Sequence, residues 1–324
     1  LLLDLDEAKL EHLLEVIKKK VKTNRKALDA ELEVARVARQ EAEAKKVEEK
    51  KIDPEVEKEA QTITMDSILF KKRIDAVAQL GVVGERGNIA MCFCALDSRL
   101  LPYNAANPNA LAIKISGHQG SGKSHVIKMC VQVYPESCFH MVNNGSGKSM
   151  YYLQGGLKHK ALIVTEAYPF QKENAGDSEL VYSIRTLLSE GRLSYFVVVK
   201  DSEGNLATAE KKLEGPTSFI TTTIVESLEA QFEDRLFSIH PDESTAQTKA
   251  IGRMIAEQKA GIFQALDPKK VDSWKHFHES LKPVDVVVPF APSIMDFLEQ
   301  NPNLPISTRR AANRMLTVIQ TIAC

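Results

Sequence analysis

The chain has 324 residues, of which 44% are apolar and 26% charged, and its formal net charge is −1. This composition is typical of a globular protein with a sizeable core, and the balanced charge excludes any conclusion about partners from overall charge. No apolar run reaches the roughly 18 residues of a transmembrane helix, and the first residues do not resemble a signal peptide, so we expect no membrane insertion. The cysteines lack CxxC spacing, which favours reduced thiols and a cytoplasmic protein over disulfides or zinc.

The first segment, residues 1–58, is rich in Ala, Glu, Lys and Leu and almost free of Gly and Pro. Its apolar residues recur at helical spacing, which predicts two helices that break near Lys22. Such a segment is either a connector or oligomer arm, or a solvated helical hairpin without a partner. Because the chain begins without Met and ends inside a helix-like pattern, we expect it to be a fragment of a longer protein.

The rest of the chain divides into three segments. Residues 59–109 predict a helical lead-in. In residues 110–245, short apolar runs alternate with helix-like stretches, which predicts an α/β fold with a central, mostly parallel sheet. Residues 246–324 are helical again and are expected to form a smaller lid, which the end of the chain cuts short.

A phosphate-binding motif follows the first of the apolar runs. LAIKIS leads into GHQGSGKS, which fits the pattern GxxxxGK[ST] between a strand and a helix. In such a loop the backbone amides surround a phosphate, Lys123 neutralises the β- and γ-phosphate oxygens, and Ser124 ligates Mg²⁺. We therefore predict an ATPase that binds ATP and Mg²⁺. The nucleotide-binding residues predicted here are Gly117, Gln119, Gly120, Ser121, Gly122, Lys123 and Ser124.

A P-loop enzyme also needs an acidic residue on an adjacent strand, to hold the Mg²⁺ shell and polarise the attacking water. The run ALIVTE supplies Glu166 for both roles. Thr165 occupies the slot of the usual Mg²⁺-shell Asp, a substitution that points to slow turnover. Another run, TSFITTT, ends in threonines, and Thr222 or Thr223 could contact the γ-phosphate or the water.

Arg235 and a predicted hairpin complete the candidate site. Arg235 lies between a short helix-like stretch and an apolar strand, from where it could reach a neighbour's nucleotide, unless it is an ordinary salt-bridged arginine. SYFVVVK and LATAEK predict a β-hairpin over 194–210. If this hairpin points into a ring, its lysines could contact a nucleic-acid backbone. These lysines are Lys200, Lys211 and Lys212.

This order of elements resembles that of the AAA+ ATPases, and among them the minichromosome-maintenance-like helicases. More narrowly, the phrases IRTLLSEGRL, LEGPTSFITTT and DRLFSIHPDESTAQT resemble the helicase part of phage- and island-encoded primase-helicases. The resemblance covers roughly residues 65–324. The matching positions are the P-loop at 117–124, Glu166, the helix 178–190 before the hairpin, Thr222 or Thr223, and Arg235.

The resemblance implies a homo-oligomeric ring, expected to be a hexamer, with ATP between subunits and single-stranded DNA in the channel. It also implies a primase region earlier in the same longer chain, with residues 1–58 as the connector. The tail PISTRRAANRMLTVIQTIA is similar to the lid helix that carries a second sensor arginine in this family. Arg309 or Arg310 is the candidate for that role.

The predicted function is an ATP-hydrolysing DNA helicase or translocase that serves replication of a phage or mobile element. Lys123, Glu166 and Arg235 are its predicted catalytic residues. The alternative is a nucleotide-gated assembly or loading module with little motor activity, which Thr165 motivates. A third interpretation is a P-loop kinase for a small molecule. The threonines predicted to contact the γ-phosphate, the predicted role of Arg235 and the predicted lid all disfavour it.

Overall fold

The computed structural model describes residues 53–102, 110–142, 153, 155–165, 179–200, 206–305 and 308–324. The chain divides into two units, residues 1–54 and 55–324, and nearly all described residues belong to the second. The predicted helical arm at 1–58 therefore lies largely outside the described residues. Among the helices that are described, none is long and apolar enough to cross a bilayer.

Helices and strands alternate through the middle of the chain, as the sequence predicts. The helices are α1 (Pro54–Thr64), α2 (Leu69–Gln79), α3 (Arg86–Asp97), α4 (Lys123–Gln132), α5 (Glu179–Glu190), α6 (Ala230–Glu233), α7 (Thr245–Lys259), α8 (Pro268–Ser280), α9 (Ala291–Glu299) and α10 (Thr308–Ala323). The strands are β1 (Ala112–Ser116), β2 (Phe139–Val142), β3 (Lys160–Val164), β4 (Arg192–Lys200), β5 (Leu206–Glu214), β6 (Thr217–Thr223) and β7 (Phe237–Ile239).

Five strands form one parallel sheet in the order β2-β3-β6-β1-β7. Strand β1 therefore lies between β6 and β7, and its last residue, Ser116, pairs with Thr223 at the end of β6. Strand β3 borders β6 on the other side, with Val164 opposite Thr221. Because all five strands run in the same direction, the carboxyl ends of β1, β3 and β6 lie at one edge, where α/β proteins bind their ligands.

Helices cover both faces of this sheet because alternate residues of its buried strands point to opposite sides. On one face, α2, α3, α4 and α8 pack against residues that include Ile113 and Ile220. On the other face, α5 and α6 pack against residues that include Ala112 and Phe219. The predicted fold class, an α/β P-loop NTPase fold with a central parallel sheet, is confirmed.

A separate antiparallel hairpin, β4–β5, lies in the chain between α5 and β6. Its pairs run from Arg192 opposite Glu214 to Lys200 opposite Leu206, so the hairpin is longer than the predicted 194–210. Leu193 is buried at its base against the α5 side of the sheet. The predicted tip, residues 201–205, lies outside the described part of the chain.

Candidate nucleotide site

The phosphate-binding loop connects the end of β1 to the start of α4. Gly120 and Gly122 have φ angles of 83° and 89°, in the left-handed region that glycine adopts without a steric penalty. The first amide of the loop, from Gly117, donates to the carbonyl of Thr223 at 3.3 Å. The loop is thus joined to the end of β6, and Ser124, the predicted Mg²⁺ ligand, lies in the first turn of α4.

Lys123 points back into this loop from the first position of α4. Its ammonium donates to the carbonyls of Gly117 at 2.8 Å and His118 at 2.5 Å. Burial lowers the pKa of Lys123, and the nearby carboxylate of Glu243 opposes that shift. The lysine is therefore held where a loop of this kind neutralises bound phosphate.

The carboxylate of Glu243 fixes the loop from the segment that follows β7. It accepts the backbone amide of His118 at 2.7 Å and also binds the His118 ring. Hydrogen bonds from His118 lower the pKa of Glu243, so it binds as a carboxylate. A Cβ atom at Gly117 would lie 2.7 Å from a Glu243 carboxylate oxygen and 2.9 Å from Pro241 Cγ, so a larger residue here would displace the contacts that fix the loop.

A cavity of about 580 Å³ opens beside the loop. Its lining comes from the segment 81–85, which precedes α3, from the phosphate-binding loop and from α7. Its size falls in the range of small-ligand sites, and its lining includes Val82, Ile251 and Met254 together with polar groups. It therefore offers an apolar space for the base of a nucleotide whose phosphates lie in the loop.

Hydrogen bonds join the walls of this cavity to each other and to α4. Gln247 on α7 donates to the carbonyl of Val83 at 2.6 Å, and Glu85 accepts the amide of Asp242 at 2.8 Å. His125 on α4 contacts the Gly81 carbonyl at 3.0 Å. Sequence analysis missed this cavity, although Gly81 and Gly84 just before α3 were a signal.

The predicted sensor threonines lie at the edge of the sheet that carries the loop. Thr222 and Thr223 are both buried at the end of β6. The hydroxyl of Thr222 donates to the carbonyl of Thr165, and that of Thr223 accepts the amide of Val225 at 3.1 Å. These threonines therefore connect the P-loop strand to the end of β3. Glu166, the next residue after Thr165, lies outside the described residues.

Arg235 is at the opposite end of the sheet from the phosphate-binding loop. It precedes β7, whose first residue, Phe237, pairs with Ile113 near the start of β1. Its Nε donates to Ser189 Oγ at 2.6 Å near the end of α5, and its guanidinium also binds the carbonyl of Gln231. The structure thus does not bring Arg235 to the loop of its own chain.

The predicted lid arginines lie in α10, which contacts the segment before β7. Arg310 forms an ion pair with Asp234, while Arg309 is exposed on α10. Arg314, which the sequence analysis did not single out, donates to the carbonyl of Leu236 at 2.7 Å and lies over the ring of Phe237. Arg310 and Arg314 thus join α10 to the segment that contains Arg235 and β7.

The predicted hairpin lysines lie in β4 and β5. Lys211 and Lys212 are exposed, and Lys212 forms an ion pair with Glu210 at 3.0 Å. Lys200 is the last residue of β4, and its side chain lies outside what the structure describes. The DNA contact predicted for these lysines stays a prediction.

The fold and the loop together define a P-loop NTPase. Residues 83–283, more than half of the chain, match the family described as the MTBMA_p00010 P-loop domain, and the chain belongs to this family. The comparison with curated proteins found no match. P-loop NTPase domains generally bind a nucleotide together with Mg²⁺. The donors here fit both ligands, with Lys123 and the loop amides for phosphate and the Ser124 hydroxyl for the metal.

Proposed function

We propose that the protein is an ATP-hydrolysing DNA helicase or translocase that works as a ring, expected to be a hexamer, in the replication of a phage or mobile element. The observation that carries this proposal is the position of Arg235. Each ATP would lie between two subunits, with Lys123, Ser124 and Glu166 from one and Arg235 from the next. Single-stranded DNA would pass through the channel.

The placement of Arg235 supports a role at a neighbour's nucleotide. Phe237, two residues after Arg235, pairs with Ile113, which is four residues before Gly117. Four residues of extended strand span roughly 13 Å. An arginine side chain cannot span that distance in addition to the turn before β7. If Arg235 stabilises the charge on a transferred phosphoryl group, a second copy of the chain must hold that group.

The order of elements supports the resemblance to minichromosome-maintenance-like helicases. Helix α5 leads directly into the hairpin β4–β5, and the threonine-rich β6 follows the hairpin. Strand β6 then leads through α6 and Arg235 to β7. That order is the one the resemblance implies, with the hairpin as the element that would contact single-stranded DNA.

The proposed site is tested by hydrolysis of ATP with single variants. Lys123→Ala should lower the rate at least about 100-fold, because the lysine stabilises charge that develops on the phosphates. Glu166→Gln should have an effect of similar size if Glu166 polarises the attacking water. Lys128→Ala removes an exposed lysine from the same helix and should leave hydrolysis unchanged. Normal hydrolysis by the first two variants would refute the site.

A second candidate function is a nucleotide-gated assembly or loading module with little motor activity. Thr165 favours it, because a hydroxyl stands where this class of enzyme uses an acid at the metal shell, and hydrolysis should be slow. Oligomers that form with ATP but do not separate DNA strands would support this function. Robust strand separation would exclude it.

A further inference from the structure

Strand β1 contains a charged residue at its centre. Lys114 lies between Ile113 and Ile115 in this otherwise uncharged strand, and its side chain is fully buried. Burying an ammonium group is costly unless it is paired and hydrogen-bonded. A buried ion pair is often no more stable than apolar residues of similar size, so stability alone does not explain a lysine here.

The partners of Lys114 belong to the segment that carries Arg235. Its ammonium donates to Glu233 Oε1 at 2.6 Å and to the carbonyl of Glu226 at 2.5 Å. Glu233 also accepts the Leu228 amide and the Ser238 hydroxyl, each at 2.9 Å. Burial opposes ionisation of Glu233, but these hydrogen bonds outweigh it and lower its pKa. The carboxylate therefore joins β1 to the loop after β6, to α6 and to β7.

Glu233 is the last residue of α6 and stands two residues before Arg235. The backbone between them is a tight turn, in which the Arg235 amide donates to the carbonyl of Phe232 and the Leu236 amide to that of Glu233, both at 3.0 Å. The other partner of this ion pair, Lys114, is three residues before Gly117, the first residue of the phosphate-binding loop. The ion pair is thus a direct connection between the P-loop strand and the turn that presents Arg235.

We infer that Lys114 is a positioning residue for Arg235, acting through its buried ion pair with Glu233. The pair fixes α6 relative to β1, and thereby sets where Arg235 stands when it faces the nucleotide of a neighbouring copy. This inference rests on the proposed role of Arg235. It predicts that loss of the pair impairs hydrolysis in the neighbouring subunit, while the subunit's own phosphate-binding loop stays competent.

The test uses mixed assemblies of two parent variants. Lys123→Ala subunits should not hydrolyse ATP but still present Arg235 to a neighbour. Arg235→Ala subunits keep their own nucleotide site but do not supply the arginine. Mixing the two should restore hydrolysis that neither shows alone. The pair is then removed with Lys114→Met and Glu233→Gln together, which leaves no unpaired buried charge. The matched control is Lys269→Met with Glu55→Gln, which removes an exposed pair of the same 2.6 Å length.

The two placements of the double variant give opposite results. When it is added to the Lys123→Ala subunit, which supplies Arg235, the restored rate should fall at least about tenfold. When it is added to the Arg235→Ala subunit, which supplies the site, the restored rate should change less than about twofold. Thermal unfolding and nucleotide binding of each subunit check that it is folded. If the double variant does not fold, Lys114→Met alone replaces it, since Glu233 is partly exposed and keeps its hydrogen bonds from the Leu228 amide and the Ser238 hydroxyl.

Failure of this inference and failure of the proposed function are distinguishable. If the parent variants do not restore hydrolysis on mixing, the role of Arg235 at a neighbour's site is refuted, and the inference with it. If they do, but the double variant acts only in the subunit that supplies the site, or equally in both, the inference alone is overturned.

Discussion

At the scale of single residues, the phosphate-binding loop is held by contacts from distant parts of the chain. The carboxylate of Glu243, in the segment after β7, accepts a hydrogen bond from the His118 amide. The carbonyl of Thr223, at the end of β6, accepts one from the Gly117 amide. In the same way, the hydrogen bond from Gln247 to the Val83 carbonyl joins two parts of the lining of the cavity beside the loop. These bonds position the loop and the cavity before a ligand arrives, which limits the ordering cost of binding.

Gly84→Ala tests whether this cavity receives the nucleotide. A Cβ atom at Gly84 would lie 2.7 Å from the Gln247 carboxamide oxygen, and the residue has a φ of 62° that alanine disfavours. We expect Gln247 to be displaced and the KM for ATP to rise about tenfold, with a smaller change in kcat. Gly87→Ala is the control, since no atom lies within 4 Å of its added Cβ. Equal KM values for the two variants would mean that the base binds elsewhere.

The residues that could be predicted from the sequence were those whose chemistry is local. The run GHQGSGKS contains its own glycines, lysine and hydroxyl, so its role could be predicted without any tertiary contact. The Glu243 carboxylate and the Gln247 carboxamide act more than 100 residues away from the groups they bind. Nothing in their immediate sequence distinguishes them from surface residues, and only the fold brings them to the site.

At the scale of elements, the hairpin β4–β5 is the part proposed to contact DNA. Replacing Lys211 and Lys212 by alanine should weaken stimulation of hydrolysis by single-stranded DNA. If each lysine contacts one phosphate, the salt dependence of binding should also fall, by about 0.7 per lysine in the slope of log K against log salt. Lys275→Ala removes an exposed, ion-paired lysine from α8 and should change neither quantity. An unchanged salt dependence in the double variant would exclude contact through these lysines.

Helix α8 is joined to α2 and α3 by a buried polar cluster. Arg73 on α2 donates to Asp97 on α3 at 2.5 Å, and Tyr134 donates to the same carboxylate at 2.6 Å. His278 on α8 lies 3.1 Å from the Arg73 guanidinium, stacks on Tyr134, and binds the Trp274 carbonyl through Nδ1 at 2.8 Å. Burial and then Arg73 lower the pKa of His278 to about 3, so the ring is neutral.

This histidine should make the stability of the protein pH-dependent. Between pH 6.5 and about 3, the unfolded chain takes up a proton at His278 that the folded chain excludes. The free energy of unfolding should therefore fall as the pH drops below 6.5, by up to about 1.4 kcal/mol for each pH unit. His278→Gln should reduce this slope in denaturant titrations from about pH 6.5 to 4.5, and His276→Gln on the same helix should not. Identical slopes for all three proteins would contradict this role.

Among the elements, those with helical periodicity or an apolar run could be predicted, whereas strand β2 could not. TSFITTT forms a buried strand over the predicted residues, and the helix predicted at 178–190 is observed as α5. Strand β2 has four residues, includes His140, and is only partly buried, so neither alternation nor an apolar run indicates it. It becomes a strand because its backbone pairs with β3 at the edge of the sheet.

At the scale of the whole molecule, the two ends of the sheet carry different parts of one proposed catalytic site. The phosphate-binding loop, the threonines of β6 and the cavity beside the loop lie at the carboxyl ends of the strands, whereas Arg235 lies at their amino ends. A single subunit cannot bring these groups together, whereas the proposed ring of copies would do so at every interface. This separation follows from the parallel pairing of β1 and β7, because residues before β7 and residues after β1 then lie at opposite edges of the sheet.

The most direct test measures ATP hydrolysis by the purified chain with and without single-stranded DNA, together with its mass in solution with and without nucleotide. We predict an ATP-dependent assembly of ring size, in which DNA raises the hydrolysis rate and Lys123→Ala abolishes it. A ring whose hydrolysis ignores DNA would favour the assembly module. A monomer that hydrolyses ATP at the same rate with and without DNA would contradict the proposed function.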